Sequence, residues 1–176
     1  MLENSEKLNN QAVTLAAKGE YDDAIACLKR AITVENENAL LWFNLALTYR
    51  DAGQIAKAKA AIEYAYTINP QDEEIIETLA VLCISAGAMD EALLHCTAGL
   101  ELNSLNPHFW NTAGVIHFSS ADYQAAADCF EHAVSLDPHY YDAVFNLRDT
   151  YGELKNSVGV QECARLLSSI RKESQP

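Results

Sequence analysis

Two short pairs of side chains in the sequence could bind a metal ion. His95 stands beside Cys96, and Cys129 is followed by His132 three residues later. Imidazole nitrogen and thiolate sulfur are zinc ligands, but a site needs three or four of them and no further pair has a matching spacing. The sequence also has no phosphate-binding loop, nucleophile elbow or zinc-protease motif. We therefore expect no metal, no cofactor and no enzyme activity.

A row of amide side chains suggests a binding role instead. Asn10, Asn44 and Asn146 recur at multiples of 34 residues, with Thr78 and Thr112 at the steps between. An amide is both donor and acceptor, so a row of asparagines can bind the main chain of an extended peptide whatever its sequence. The threonines interrupt the row because a hydroxyl reaches less far. The alternative for Asn44 is a hydrogen bond to a neighbouring helix.

The elements that would position these side chains follow the same period. We place repeats at residues 1–38, 39–72, 73–106 and 107–140, with a degenerate fifth unit at 141–176. In each repeat, two apolar patterns of helical spacing flank a breaker. Such a period is typical of helical hairpins that bury their apolar sides against one another. The pattern predicts one continuous all-α domain built as a solenoid.

Breakers recur at fixed places in the repeats. The first helices are followed by Gly19, Gly53 and Gly87, with Ala121 in the fourth copy. Glycine suits the left-handed residue that ends a helix. The second helices are expected to end at Asn36, Pro70, Ser104 and Pro138, because proline cannot continue a helix.

The recurring residues resemble the tetratricopeptide repeat. Repeat 2 fills its pattern with Trp42, Leu45, Ala46, Tyr49, Ala58, Ile62, Ala65 and Pro70. Repeat 4 fills it with Trp110, Ala113, Gly114, His117, Ala126, Phe130, Ala133 and Pro138. The resemblance implies a right-handed superhelical solenoid of antiparallel helix pairs. Close helix crossings also explain why small residues recur at Ala12, Ala46, Ala80 and Gly114 and at Ala24, Ala58, Ala92 and Ala126.

The fifth unit departs from this pattern. Arg148 occupies the small position, and Val160 and Leu167 replace the alanines of the second helix. We interpret the unit as a pair of capping helices, since the end of a solenoid needs a polar outer face. Its apolar side is expected to consist of Leu154, Val158, Leu166, Leu167 and Ile170.

The family resemblance places a partner-binding groove on the first helices. The groove positions in this sequence are Asn10, Val13, Leu40, Phe43, Asn44, Leu47, Glu74, Glu77, Thr78, Val81, Asn111, Thr112, Val115, Phe118, Phe145 and Asn146. Its apolar members suit the apolar face of an amphipathic helix or alternate side chains of a strand. Packing between adjacent helices is the alternative for about half of them.

The charge of the chain is concentrated in its centre. The net charge is −13, and between Ala60 and Leu147 there are 13 acidic residues and no Lys or Arg. Nucleic acids and anionic membranes need basic residues, so we exclude both as partners. The field favours a basic protein or peptide ligand, although an acidic surface can also serve solubility alone. Glu74 argues against the related proteins that clamp acidic tails with lysines.

The remaining features indicate a soluble cytoplasmic protein. The N-terminal segment MLENSEKLNNQAV has no apolar core, and no window of 18 apolar residues occurs, so we expect neither export nor membrane insertion. The five cysteines are then expected to be thiols. We interpret the chain as a protein-interaction scaffold or adaptor. One alternative is a self-associating assembly protein, a homo-oligomer that buries Leu40, Phe43 or the face of the capping helices against a second copy. Another is a regulatory subunit of a separate enzyme.

Overall fold

The structure is a computed structural model that describes residues 4–173. Over this range all regular elements are α-helices, and there are ten of them. Their bounds are α1 Ser5–Ala17, α2 Tyr21–Val34, α3 Ala39–Asp51, α4 Ile55–Ile68, α5 Glu73–Ser85, α6 Met89–Leu102, α7 Pro107–Ser119, α8 Tyr123–Leu136, α9 Tyr141–Glu153 and α10 Ser157–Glu173. The predicted all-α class is confirmed.

The helices repeat with the period of the sequence. Each odd-numbered helix begins 34 residues after the previous one, and so does each even-numbered helix. The described residues form two compact units that meet in sequence at Ala88 and Met89. In the first unit each helix from α1 to α4 packs on the next one along the chain. In the second unit each helix from α6 to α9 does the same. Within the units, short turns join α1 to α2, α3 to α4, α7 to α8 and α9 to α10, and the helices of each of these pairs therefore run antiparallel.

A left-handed residue follows each first helix. Gly19, Gly53 and Gly87 have φ of 79°, 73° and 77°, which confirms the role predicted for them. Ala121 adopts φ 59° in the same place, and Lys155 adopts φ 57° in the fifth unit. In each turn the next N–H returns to the helix, as where Gln54 donates to the Tyr49 carbonyl at 2.8 Å. Lys155 is the position that the sequence pattern missed.

The second helices end earlier than expected. Helices α2, α4, α6 and α8 end at Val34, Ile68, Leu102 and Leu136, two residues before the predicted ends. After α4 and α8, the first non-helical residue precedes a proline, which restricts that residue to extended conformations. Asn69, before Pro70, has φ −133°. Glu35 adopts nearly the same conformation, with φ −137°, before Asn36, so α2 ends at the corresponding place without a proline.

Small residues lie where helices approach closely. Ala12, Ala24, Ala46 and Ala58 are all fully buried, on helices that pack together in pairs. In the second unit, a Cβ added at Gly114 would lie 2.5 Å from the ring of Phe130. These contacts agree with the small positions predicted from sequence.

The last two helices close the second unit with an apolar core. Its members are Ala126, Ala127, Phe130, Val144, Leu147, Cys163, Leu167 and Ile170, with Leu154 and Leu166 packed against it. The prediction for Val158 was wrong, because its side chain is 65% exposed. Gly159 takes the inner position instead, and its Cα faces the ring of Tyr151. Arg148 is accommodated because its guanidinium lies over the ring of Phe145, 4.2 Å from the centroid.

Over residues 4–173, none of the ten helices combines the length and the apolar character that crossing a bilayer requires.

Candidate peptide-binding site

A cavity of about 760 Å³ opens in the first unit, beside the starts of α3 and α5. We call it the acidic cavity, because the carboxylates of Glu35, Glu37, Asp72 and Glu74 line it together with apolar Leu40. A neighbouring cavity of about 500 Å³ shares Glu35 and Leu40 with it. The two cavities together are lined by exposed apolar Leu40 and by several carboxylates.

Helix caps set the electrostatics of the acidic cavity. The start of a helix normally attracts anions through unpaired N–H groups. Here the Oδ1 of Asn38 accepts from the N–H of Leu40 at 3.2 Å, and the Oδ1 of Asp72 accepts from the N–H of Glu74 at 3.0 Å. Because these donors are occupied, the carboxylates determine the sign of the site, which favours cations.

Glu35 is held in its charged form. The hydroxyl of Ser5 donates to its carboxylate at 2.6 Å, and the amide of Asn38 donates at 3.1 Å. These two hydrogen bonds, that of Ser5 first, lower the pKa of Glu35. The carboxylate between the two cavities therefore stays ionised at neutral pH.

Leu40 and Phe43 lie on the same helix but differ in exposure. The side chain of Leu40 is 54% exposed, whereas that of Phe43 is only 8% exposed and lines the wall of the acidic cavity. Removing Phe43 would therefore disturb the core as well as the cavity. Leu40 is the apolar side chain that a partner can contact directly.

The asparagine row is built from hydrogen-bonded pairs. The amide of Asn44 donates to the Oδ1 of Asn9 at 2.7 Å, and the amide of Asn146 donates to the Oδ1 of Asn111 at 2.9 Å. The alternative considered for Asn44, a bond to a neighbouring helix, is thus present. Among the described residues, neither the Oδ1 of Asn44 nor that of Asn146 has a hydrogen-bond partner. Each amide keeps an acceptor for a ligand.

Each pair lies beside a small cavity. One, of about 150 Å³, is lined by Val13, Asn44 and Leu47 in the first unit. The other, of about 130 Å³, is lined by Val115, Phe118 and Asn146 in the second unit. Val13 and Val115 correspond in sequence, as do Asn44 and Asn146, so each unit places a valine and an amide beside such a cavity. The other apolar candidates do not correspond, because Leu47 matches Asp149 and Phe118 matches Ala16.

The remaining candidates differ in how accessible they are. Those in the first unit are exposed or half-buried: Asn10, Glu77, Thr78 and Val81. Phe145 of the second unit is 37% exposed and covered on one face by Arg148. Asn111 is half-buried, and its amide donates to the hydroxyl of Tyr140 at 3.3 Å. Thr112 is only 4% exposed, so little of it is available to a ligand.

The histidine and cysteine pairs lie in packed surroundings. Within residues 4–173, no three His, Cys, Asp or Glu side chains are placed to hold a metal ion. The thiol of Cys96 donates to the carbonyl of Phe109 at 3.0 Å, and burial raises its pKa to about 12. Burial also raises the pKa of Cys129. His132 packs on Trp110 with ring centroids 4.2 Å apart. A buried, protonated thiol is a poor nucleophile.

Sequence reasoning missed the loop carboxylates. Glu35, Glu37 and Asp72 lie between hairpins, outside the helical pattern that identified the groove. The signal for the two glutamates was the alternation of glutamate and asparagine at residues 35–38, directly before α3.

Comparison with known proteins gives matches along most of the chain. Residues 14–53 match a family model described as TPR repeat, and residues 49–112 and 107–140 match models described as tetratricopeptide repeat. BBSome complex member BBS4 of Bos taurus is 28% identical over 74% of this chain and 25% of that protein. Tetratricopeptide repeat protein 8 of Caenorhabditis elegans is 27% identical over 95% of this chain and 33% of that protein. The chain thus spans a quarter to a third of the length of these relatives.

Solved structures share the fold at low sequence identity. The crystal structure of MamA has a TM-score of 0.78 at 16% identity, covering 98% of this chain and 97% of that one. YrrB, described as a TPR protein with an unusual peptide-binding site, has a TM-score of 0.70 at 19% identity, covering 97% of this chain and 88% of that one. Together, the family models span residues 14–140. The chain belongs to the tetratricopeptide-repeat family.

Proposed function

We propose that the chain is a protein-interaction module that binds a basic peptide segment of a partner at the acidic cavity. The family mediates contacts between proteins, and YrrB is described as having a peptide-binding site. The observation that carries the proposal is the pairing of an exposed apolar side chain, Leu40, with surrounding carboxylates. We infer a binding module rather than an enzyme.

The cavity favours a particular kind of ligand. An aliphatic or aromatic side chain of the peptide would cover Leu40, which removes apolar surface from water. Lys or Arg residues next to it would meet Glu37 and Glu74, which both line the cavity, Glu37 from the loop before α3 and Glu74 from the start of α5. Charge-assisted hydrogen bonds to these carboxylates would orient the peptide.

The small cavity at Asn44 offers a second contact in the same unit. The open Oδ1 of Asn44 can accept a hydrogen bond from a peptide N–H, while Val13 and Leu47 contact a small apolar side chain. One accepting amide gives a main-chain contact that is independent of ligand sequence. Sequence preference would then come from the acidic cavity.

The experiment is a selection of random dodecapeptides on the wild-type protein, followed by binding measurements on variants. Peptides that bind at this site should carry Lys or Arg beside an apolar residue. Leu40→Ser and the double variant Glu37→Gln/Glu74→Gln should each weaken them at least tenfold, a loss of about 1.4 kcal/mol or more. Both changes are at exposed side chains, so folding should be unaffected.

Matched controls lie in the second unit. Val158→Ser removes an apolar side chain that is 65% exposed, and Glu153→Gln/Glu162→Gln removes two exposed carboxylates. Neither should change peptide affinity by more than about twofold. If every selected peptide binds Leu40→Ser and Glu37→Gln/Glu74→Gln as tightly as wild type, the proposal is wrong. Disappearance of a dimer in Leu40→Ser would instead support self-association and also overturn it.

A further inference from the structure

A second groove of the first unit has the opposite electrical character. It lies on helices α2, α3 and α4 and has a volume of about 490 Å³. We call it the aromatic groove, because Trp42, Tyr49 and Tyr64 line it with Ile32, Lys29 and Lys57. None of the described residues that line it is acidic, although the chain carries a net charge of −13. It shares no residue with the acidic cavity.

The aromatic side chains are held in place before any ligand binds. The indole N–H of Trp42 donates to the carbonyl of Asn36 at 2.8 Å, and its ring lies 4.3 Å from that of Tyr64. Tyr49 is buried to 6% exposure, whereas Tyr64 is 42% exposed. A fixed apolar wall with one open edge loses little entropy on binding, which favours insertion of a bulky side chain.

The two lysines of the groove, one on α2 and one on α4, both lie near the ring of Tyr49. The Nζ atoms of Lys29 and Lys57 are 5.9 Å and 5.6 Å from the centre of the Tyr49 ring. The Nζ of Lys57 also donates to the Oε1 of Gln54 at 2.7 Å, which is a neutral partner. The acidic residue of α4, Glu63, instead pairs with Lys59 at 3.5 Å. The positive charge at the groove is therefore not cancelled locally.

These observations define the ligand by charge complementarity. We propose that the aromatic groove binds an acidic peptide segment of a partner protein, with one or two carboxylates next to a bulky aliphatic or aromatic side chain. The side chain would pack on Trp42 and Tyr64, and a carboxylate would bind the ammonium groups of Lys29 and Lys57. The acidic field of the whole chain repels polyanions, which disfavours nucleic acid. This site is independent of the proposed function.

The probe is the blocked hexapeptide acetyl-Ser-Asp-Leu-Phe-Glu-Ser-amide, which carries two carboxylates and contains no tryptophan. Binding is measured in a Trp110→Phe background, where Trp42 is the remaining tryptophan and its fluorescence reports on the aromatic groove. Two control peptides isolate the two parts of the proposal: one has Gln and Asn in place of Glu and Asp, and one has Ser-Ser in place of Leu-Phe. Each control should bind at least tenfold more weakly than the probe. The affinity of the probe should also fall as salt is added.

Variants of the protein locate the site. Lys29→Gln/Lys57→Gln should lower the affinity for the probe at least tenfold. Lys7→Gln/Lys18→Gln makes the same change of charge on exposed lysines elsewhere in the unit, and should change the affinity less than twofold. Equal weakening by both pairs would show a non-specific effect of net charge and overturn the proposal. So would absence of binding, equal binding of the neutral peptide, or equally tight binding of a single-stranded oligonucleotide. Leu40→Ser should leave the probe unaffected, which separates this site from the acidic cavity.

Discussion

The side-chain amide of Asn44 donates a hydrogen bond of 2.7 Å to the Oδ1 of Asn9, which is buried on the neighbouring first helix. This hydrogen bond joins a side chain of α1 to a side chain of α3. Asn146 and Asn111 form the same bond in the second unit, at 2.9 Å. In each pair, the asparagine that we propose as a ligand contact is thus oriented by the other asparagine.

Replacing Asn9 should therefore cost stability. Asn9→Ala removes a buried acceptor and leaves the amide of Asn44 without its orienting partner, so we expect a loss of about 1–2 kcal/mol in the free energy of unfolding. Asn10→Ala changes an exposed neighbour and should cost less than about 0.5 kcal/mol. Urea unfolding followed by circular dichroism measures both. Equal losses would show that the hydrogen bond contributes little.

The left-handed turns predict two stabilising substitutions. Ala121 and Lys155 adopt φ of 59° and 57°, which is unfavourable for residues with a Cβ. Ala121→Gly and Lys155→Gly should each raise the free energy of unfolding by about 1 kcal/mol. Gly53→Ala makes the reverse change at a position where an added Cβ would contact no other atom, and it should lower the free energy of unfolding by a similar amount. Thermal unfolding of the three variants gives the comparison, and destabilisation by both glycines would contradict it.

The glycines inside helices should respond according to their surroundings. A Cβ at Gly99 would lie 2.3 Å from the ring of Phe109, and one at Gly114 would lie 2.5 Å from Phe130. Gly99→Ala and Gly114→Ala should therefore each destabilise the chain by about 1–3 kcal/mol through overpacking. Gly152 of α9 has no atom within 4 Å of an added Cβ, so Gly152→Ala should be neutral or stabilise by up to about 1 kcal/mol. The midpoints of urea unfolding rank the three variants by stability. A Gly152→Ala variant as unstable as the other two would refute this account.

Burial of Cys96 predicts a dependence of stability on pH. The folded-state pKa of this thiol is raised to about 12, whereas an unfolded cysteine ionises near pH 8.5. Between these values the folded chain keeps the proton that the unfolded chain has lost. The protonated Cys96 thiol therefore makes its full contribution to the free energy of unfolding below about pH 8.5. As the pH rises further, the free energy of unfolding falls by up to about 1.4 kcal/mol per pH unit.

The measurement compares wild type with Cys96→Ser, which does not ionise in this range and keeps a donor for the carbonyl of Phe109. Urea unfolding between pH 7 and about 10.5 should give a steeper decline for wild type. The other titrating groups, including Cys129 and Cys163, are present in both proteins and cancel in the difference. Parallel declines would show that Cys96 ionises equally in both states.

The helices were predictable from the sequence because their signals are local and repeat. Gly19, Gly53 and Gly87 marked the first turns, since few other residues adopt positive φ. Lys155 escaped notice because nothing in a lysine indicates that conformation. Val158 was misassigned because a one-residue shift in a helix turns a side chain by about 100°, and the inner position was taken by Gly159, which periodicity does not register as apolar.

The candidate site was predictable only in part. The 34-residue spacing selected Val13, Asn44 and Leu47, which line one small cavity in the structure. The spacing could not show that Phe43 is buried whereas Leu40 is exposed, because exposure depends on how the neighbouring hairpins pack. It also could not place Glu37, because a loop residue has no periodic partner. Side chains contributed by loops are therefore the part that required the structure.

The cap residues before the first helices bear on how such a chain changes length during evolution. Asn38 caps α3 and Asp72 caps α5, each by accepting from the N–H two residues later. Loss of residues 39–72 would join Asn38 directly to Glu73, and Asn38 would then cap α5 as it caps α3 now. The junction would contain no new turn and no uncapped helix. Duplication or loss of whole hairpins therefore encounters little structural resistance at this boundary.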